Sequence, residues 1–285
     1  MTRSCSAGVG LIGPASVLIL AGFLAPTVIM AMLSLRDYSG MHGIGTDWTL
    51  SNYIDVLGDW FYMEIVLRTL ALGLVVTVLC LVVGFPLALF ILRVGPRMQT
   101  VAILLVIFPL LCNIVVRSFG WMVLLSPRGV INDALLNIGL ISEPLDLMYN
   151  LTGVIIGLVQ IYLPFMVLLL VPALQNIPAD VEAAALTLRS SRARVFFTIT
   201  VPLASPGIIT GSILVFVLSI SALVTPRMLG GPTYRVMATQ IYDEFMTNLN
   251  WPSGAALAFV LTFIALALIW AANRVAAHLT RGISA

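Results

Sequence analysis

The chain has 285 residues, 60% of them hydrophobic and only 9% charged, with a formal net charge of +2 and a mean hydropathy of +1.10. Soluble domains run at about 45–50% apolar and about 25% charged, so this chain lacks the polar surface that would cover a core in water. It is built for a bilayer; a soluble enzyme and a disordered tail are excluded, and so is a nucleic-acid binder, because so weak a positive charge makes no phosphate-binding surface.

Six apolar stretches reach the roughly 20 helical residues that a hydrocarbon core about 30 Å thick requires. In chain order they are 9–35, 69–92, 99–125, 151–174, 206–224 and 253–272. They are continuously apolar rather than alternating with period two, so they predict helices and not barrel strands. The first exceeds the apolar run of a signal peptide, about 7–15 residues, and reads as a retained helix.

Arginine placement orients the spans. With six spans both termini share one side, which carries Arg3, Arg93, Arg97, Arg189, Arg192, Arg194, Arg274 and Arg281 against only Asp180 and Glu182. The other side holds most of the acids, among them Asp37, Asp47, Glu64, Asp133, Asp243 and Glu244. The positive-inside rule puts both termini in the cytoplasm. The external segments are longer than turns. Residues 36–60 include Leu50-Ser51-Asn52-Tyr53, residues 127–150 include a short helix from Asn132 that ends near Gly139, and residues 225–251 open on Pro226 and Gly230-Gly231-Pro232, a turn signal. Together they would form a lip for an external partner.

Catalytic and metal chemistry find no support. Cys5, Cys80 and Cys112 are far apart and suggest neither a disulfide framework nor a metal site. His42 and His278 both lie outside the apolar runs, the inner parts of the spans carry no Asp or Glu for a proton relay, and no Gly-rich phosphate loop is present. We therefore divide the chain into an N-terminal helix with its external loop (1–60) and a five-helix core (61–285) containing the polar inner segment 176–206.

That segment reads NIPADVEAAALTLRSSRARVFFTITVPLASP. Pro178 with Asp180 and Glu182 starts a helix, since proline suits the first turn and acids suit the positive end of the dipole. The alanines continue it. Ser190-Ser191 breaks it or caps a second helix, and Pro202 and Pro206 end the segment before the fifth span. Two readings of the residues stand side by side: an interfacial helix whose arginines meet lipid headgroups, and a docking element for a soluble partner.

The residues Glu182-Ala183-Ala184, Pro202-Leu203 and Pro206-Gly207-Ile208 resemble the coupling signature of binding-protein-dependent ABC importer permeases. The glycine expected after Glu-Ala-Ala is absent, its place falling to Leu188 or Arg189, and the gap to Pro202 is one residue longer than usual. Further stretches are similar to the spermidine/putrescine-type permeases and their opine and phosphonate relatives: Val116-Arg117-Ser118-Phe119-Gly120-Trp121, Gly129-Val130-Ile131-Asn132, Gly84-Phe85-Pro86, Tyr162-Leu163-Pro164-Phe165, Thr225-Pro226 and Leu229-Gly230-Gly231-Pro232.

The resemblance implies an all-α membrane protein with the ABC importer type I permease fold, in a bacterial inner membrane. It implies two ATPase subunits inside, a second permease subunit and an external solute-binding protein; ATP and Mg would be bound by the ATPase partners, and this chain would carry no cofactor of its own. Asp180, Glu182, Ala183, Ala184, Arg189 and Pro202 would then form the ATPase-coupling loop. The substrate pathway is assigned to Arg117, Trp121, Asn113 and Tyr162. Arg117 is a strong charge deep in an apolar run, about 26 Å up a continuous helix counted from Thr100; it either snorkels to headgroups with Trp121 in the aromatic belt, or faces the pathway. Asn113, Trp121 and Tyr162 also suit packing. The small residues Gly211, Ser212, Ser219 and Ser221 suit close helix approach. By resemblance the substrate is a polyamine; Arg117 fits an opine or phosphonate anion better, Glu64, Asp243 and Glu244 a cation. An ion-coupled secondary transporter is the remote alternative.

Overall fold

The computed structural model describes residues 3–41, 43–178, 180–181, 185 and 190–281. In chain order the helices are α1 (Arg3–Ser34), α2 (Ser51–Gly58), α3 (Trp60–Arg93), α4 (Pro96–Ile107), α5 (Ile114–Leu125), α6 (Val130–Asn137), α7 (Leu151–Gln175), α8 (Arg192–Val195), α9 (Val201–Leu203), α10 (Ser205–Ile220), α11 (Val224–Leu229), α12 (Met237–Met246) and α13 (Trp251–Arg281). A 3-10 turn, Phe108–Leu111, extends α4, and a π turn, Phe196–Thr200, joins α8 to α9. Among the described residues five helical stretches are long and apolar enough to cross a membrane, and a pair bent by 67°, Arg192–Leu203 with Ser205–Ile220, gives a sixth when taken as one span.

The third apolar stretch is not the continuous helix expected over 99–125. It breaks at Cys112 and Asn113, between the 3-10 turn and α5. Pro109 has no N–H to give the ladder, Cys112 is extended, and the Asn113 carboxamide oxygen accepts from the Val115 N–H at 2.7 Å, starting a new helix. The rise counted from Thr100 to Arg117 therefore does not hold. The short helix expected around Asn132 does form, as α6, and Gly139 closes it in the left-handed region (φ +72).

Contacts divide the chain into two compact units, Met1–Met63 with Gln240–Thr262, and Glu64–Thr239 with Phe263–Ala285. The first holds a feature that the sequence did not announce. Arg36–Ser39 (β1) and Gly43–Trp48 (β2) pair as an antiparallel hairpin with Arg36 opposite Trp48, and the Arg36 guanidinium lies 4.3 Å from the centre of the Trp48 ring. Asn52 donates to the Ser34 and Arg36 carbonyls at 2.9 and 2.8 Å, and the Tyr53 and Ser34 hydroxyls are 2.8 Å apart. The bond to Ser34 satisfies a carbonyl that α1 leaves unpaired at its end.

In the second unit α3, α7 and α10 form the core around Leu72, Val76, Leu158, Met166, Leu170 and Val215. The approach of α10 to α7 rests on two glycines one turn apart. A Cβ at Gly207 would stand 2.3 Å from the Ala173 Cβ and 3.0 Å from the Leu169 carbonyl oxygen; one at Gly211 would stand 2.8 Å from the Met166 sulfur. The first obstacle is rigid, whereas the second is the movable part of a flexible side chain. Gly207→Ala is expected to destabilise the chain by about 1–3 kcal/mol and Gly211→Ala by clearly less. Thermal unfolding in detergent checks the order; equal effects would show that the helices re-space freely.

Candidate functional site

The inner segment begins where α7 stops. The Asn176 N–H reaches the Pro172 carbonyl at 3.1 Å, and the Ile177 N–H reaches Leu174 at 3.2 Å. The Pro178 carbonyl then accepts from the Val181 N–H at 3.1 Å, and Asp180 and Val181 are helical and exposed. Glu182, Ala183, Ala184 and Arg189 lie outside the described residues. The segment resumes at Ser191, whose hydroxyl accepts from the Arg194 N–H at 3.3 Å and caps α8. So Ser191 opens a second helix, one of the two outcomes its sequence allowed.

From there the segment runs to the two prolines, Pro202 and Pro206, expected to end it. Pro202 lies inside the continuous helical stretch 192–203, directly after the π turn. The 67° bend comes later, between Leu203 and Ser205, around the fully buried Ala204. Val195 and Thr200 bury one side of the π turn, and the Phe196 ring packs edge-on against Phe85 of α3, with centroids 5.4 Å apart. The stretch 192–203 is thus keyed to the core by an aromatic pair rather than lying free on its surface.

The second cluster is built on α5. Ile114, Arg117, Ser118, Trp121, Met122 and Leu125 recur at helical spacing on its more buried face, while Val115, Val116, Phe119 and Val123 are exposed. Ser118 and Thr225 of α11 have hydroxyls 3.3 Å apart, Trp121 Nε1 donates to Gln160 Oε1 of α7 at 3.3 Å, and the Tyr162 hydroxyl donates to the Leu218 carbonyl of α10 at 2.9 Å. The Arg117 guanidinium lies within electrostatic range of the Tyr162 hydroxyl. Its Nε and Nη1 are buried and have no hydrogen-bond partner among the described residues. Arg117 is half-buried as a residue, and the desolvation of these two nitrogens is repaid by no hydrogen bond among the described residues.

Arg117 and Trp121 therefore sit one turn apart on the packed face of α5, with Tyr162 near Arg117. Asn113 is exposed at the helix break, and its side-chain oxygen is committed to the cap. Sequence reasoning passed over Gln160, a lone amide in an apolar run, and placed Asn132 in a short helix and a family-like stretch without giving its side chain a role. Asn132 is fully buried; its amide nitrogen donates to the Ser126 and Leu145 carbonyls at 3.1 and 3.0 Å, and its oxygen accepts from the Leu145 N–H at 2.8 Å. It locks the loop beyond α6. Two acids set against Arg117 in the weighing of substrate charge are engaged internally. Glu64 pairs with Arg68 at 2.5 Å. Glu244 is buried and accepts from Gln240 and Asn248 at 2.9 and 3.1 Å.

A cavity of about 470 Å³ opens at the N-terminal end of α7, lined by Arg68, Leu72, Tyr149, Asn150, Thr233 and Tyr234 among others. Burial pushes the Tyr234 hydroxyl above its ordinary pKa, opposed by the Arg68 guanidinium, so the phenol keeps its proton as a donor. Tyr149 holds a positive φ of 57° against Gly231, itself at φ 63°, where a Cβ would come within 2.7 Å of the Tyr149 ring. The loops on this cavity are thus tightly fitted rather than loose. Among the described residues no group of His, Cys, Asp or Glu is arranged to hold a metal ion.

Residues 71–285 match the family described as binding-protein-dependent transport system inner membrane component. The spermidine/putrescine transport system permease protein PotB of Escherichia coli (strain K12) is 34% identical over 230 residues, covering 80% of this chain and 83% of the relative. The fold is similar to that in the crystal structure of a bacterial ABC transporter involved in the import of the acidic polysaccharide alginate, with a TM-score of 0.76 at 18% identity, covering 98% of this chain and 97% of that one. It is also similar to the bacterial alginate ABC transporter in complex with alginate pentasaccharide-bound periplasmic protein, with a TM-score of 0.73 at 20% identity, covering 99% and 96%. Family membership sets aside the ion-coupled alternative. This chain belongs to the inner membrane components of binding-protein-dependent transport systems, and is a multi-pass permease subunit of an ABC importer.

Proposed function

We propose that this permease passes polyamines of the spermidine/putrescine kind into the cell by alternating access. The observation that carries the reading is the 34% identity over 80% of the chain with a spermidine/putrescine permease. Residues 61–285 form its five-helix core, both termini face the cytoplasm, and a second permease subunit completes the pathway. An external solute-binding protein delivers the substrate, and two ATPase subunits bind ATP and Mg on the inner side.

Energy enters through the segment 176–206. Asp180, Glu182, Ala183, Ala184, Arg189 and Pro202 form the face that the ATPase grips. When the ATPase dimer closes, the bracket moves, and the Phe85–Phe196 contact and the bend at Ala204 pass that motion to α3 and α10. The two pore conformations are the bistable element that ATP biases.

Arg117, Trp121 and Tyr162 line the pathway, and Asn113 marks its helix break. A buried cation attracts no polycation, so in a polyamine permease Arg117 is an electrostatic barrier in the resting pathway rather than a ligand. Its unpaired N–H groups favour a second reading in which the substrate is a small organic anion such as an opine or a phosphonate. Uptake of labelled spermidine, putrescine and aminoethylphosphonate, with and without the partner proteins, separates the two; phosphonate uptake alone would overturn the polyamine reading.

Two variants test the assigned residues. Glu182→Lys should still insert in the membrane but fail to copurify its ATPase and lose uptake; wild-type uptake would remove the docking role. Arg117→Met replaces an uncompensated buried charge by an apolar group of similar length. Its thermal stability in detergent should stay level or rise by about 1–3 kcal/mol, while uptake selectivity changes. A loss of stability with unchanged transport would make Arg117 a structural residue.

A further inference from the structure

We infer that a groove at the shared end of α3 and α7 is a binding site for an anionic phospholipid, with the headgroup phosphate on Arg93. The groove has a volume of about 390 Å³. Leu89, Leu92, Leu174 and Ile177 give it an apolar wall, and Arg93, Gln175 and Thr200 give it a polar end. Among the described residues Arg93 is its one charged side chain, exposed in the last turn of α3. There it offsets the negative end of the helix dipole, and a guanidinium with five N–H donors still has a fork to offer a phosphate.

The amphipathic lining selects among anions. A soluble phosphate has no use for four aliphatic side chains, whereas a phospholipid presents an anion and an acyl chain a few ångströms apart. Basic pockets between membrane helices at the cytoplasmic face are suited to such headgroups. The groove also includes Pro178, which leads into the helical residues Asp180 and Val181, and Thr200 at the end of the π turn. One bound lipid would brace both flanks of the inner segment at once. The inference rests on the orientation proposed above only for naming the leaflet.

Native mass spectrometry of the full-length chain in detergent, offered phosphatidylglycerol and phosphatidylcholine with matched acyl chains, tests it. The wild type should retain phosphatidylglycerol preferentially. Arg93→Gln should lower that preference about fivefold, and Arg93→Lys should keep most of it, which also controls for folding. Arg97→Gln, a change on an arginine outside the groove, should leave it intact. Equal retention of the two lipids by the wild type, or equal loss in Arg93→Gln and Arg97→Gln, would overturn the site. So would displacement of phosphatidylglycerol by excess inorganic phosphate, which would mark a soluble-anion site. Failure of ATPase docking in Glu182→Lys leaves this lipid readout untouched, so the two proposals fail separately.

Discussion

In hydrocarbon no water can accept or donate a hydrogen bond, so every backbone N–H and C=O of a spanning segment must be paired inside the protein. That requirement decides where this chain can interrupt a helix. The break before α5 is possible because the Asn113 side chain takes the Val115 N–H. The bend before α10 falls where Pro206 occupies its first turn and needs no partner. The π turn of 196–200 keeps its backbone bonded with a longer repeat instead of leaving it open. Each irregularity is supplied with a substitute partner or with a residue lacking the donor, and both the pathway cluster and the inner segment lie beside one of them.

The same requirement explains what could be read from the sequence. Long runs without charge have only the helical solution in a bilayer, so the spans were legible from length and composition, as were the Gly139 stop of α6 and the capping serine at Ser191. The hairpin at 36–48 was not, because its strands are short and polar and its pairing depends on Arg36 meeting Trp48 across the turn. The break in the third stretch was hidden for a different reason. Hydropathy does not distinguish one helix of 27 residues from two shorter ones, and the signal lay in a proline and an asparagine four residues apart. Among the candidate site residues, Arg117 and Trp121 stood out by being polar or aromatic in an apolar run. Gln160 carried the same signal and was missed, and Glu244 was taken for a surface acid although its amide partners Gln240 and Asn248 stand one turn away on either side.

Much of what resembles the importer family turns out to serve geometry. Gly129 is needed because a Cβ there would lie 2.5 Å from the Leu124 carbonyl oxygen, and Asn132 fastens the loop that follows. Ser118 meets Thr225 across the α5–α11 contact, and Gly207 lets α10 reach α7. Phe85, from the Gly-Phe-Pro stretch in α3, is the partner of Phe196. These residues shape a pathway that different substrates can use, so their presence speaks for transport and is silent about cargo. Arg117 is the exception, since no hydrogen bond within the described residues explains its two buried N–H groups.

That difference bears on how substrate charge should be argued. Counting acids on the external side favours a cation, but Glu64 is neutralised by Arg68, and Glu244 is turned inward onto two amides. Glu244 is buried on its amides, whereas the Glu64–Arg68 pair is partly exposed, with the Arg68 and Glu64 side chains 41% and 45% accessible. On the other side of the balance stands one guanidinium with a poorly solvated interior face, whose field is less screened than that of any surface group. On the pathway proposed above, a polycation passing Arg117 meets repulsion at one point and must be drawn forward by other groups. An anion would meet attraction at the same point and would need a way to leave. On that proposed pathway, the sign of the substrate turns on which groups answer the Arg117 charge.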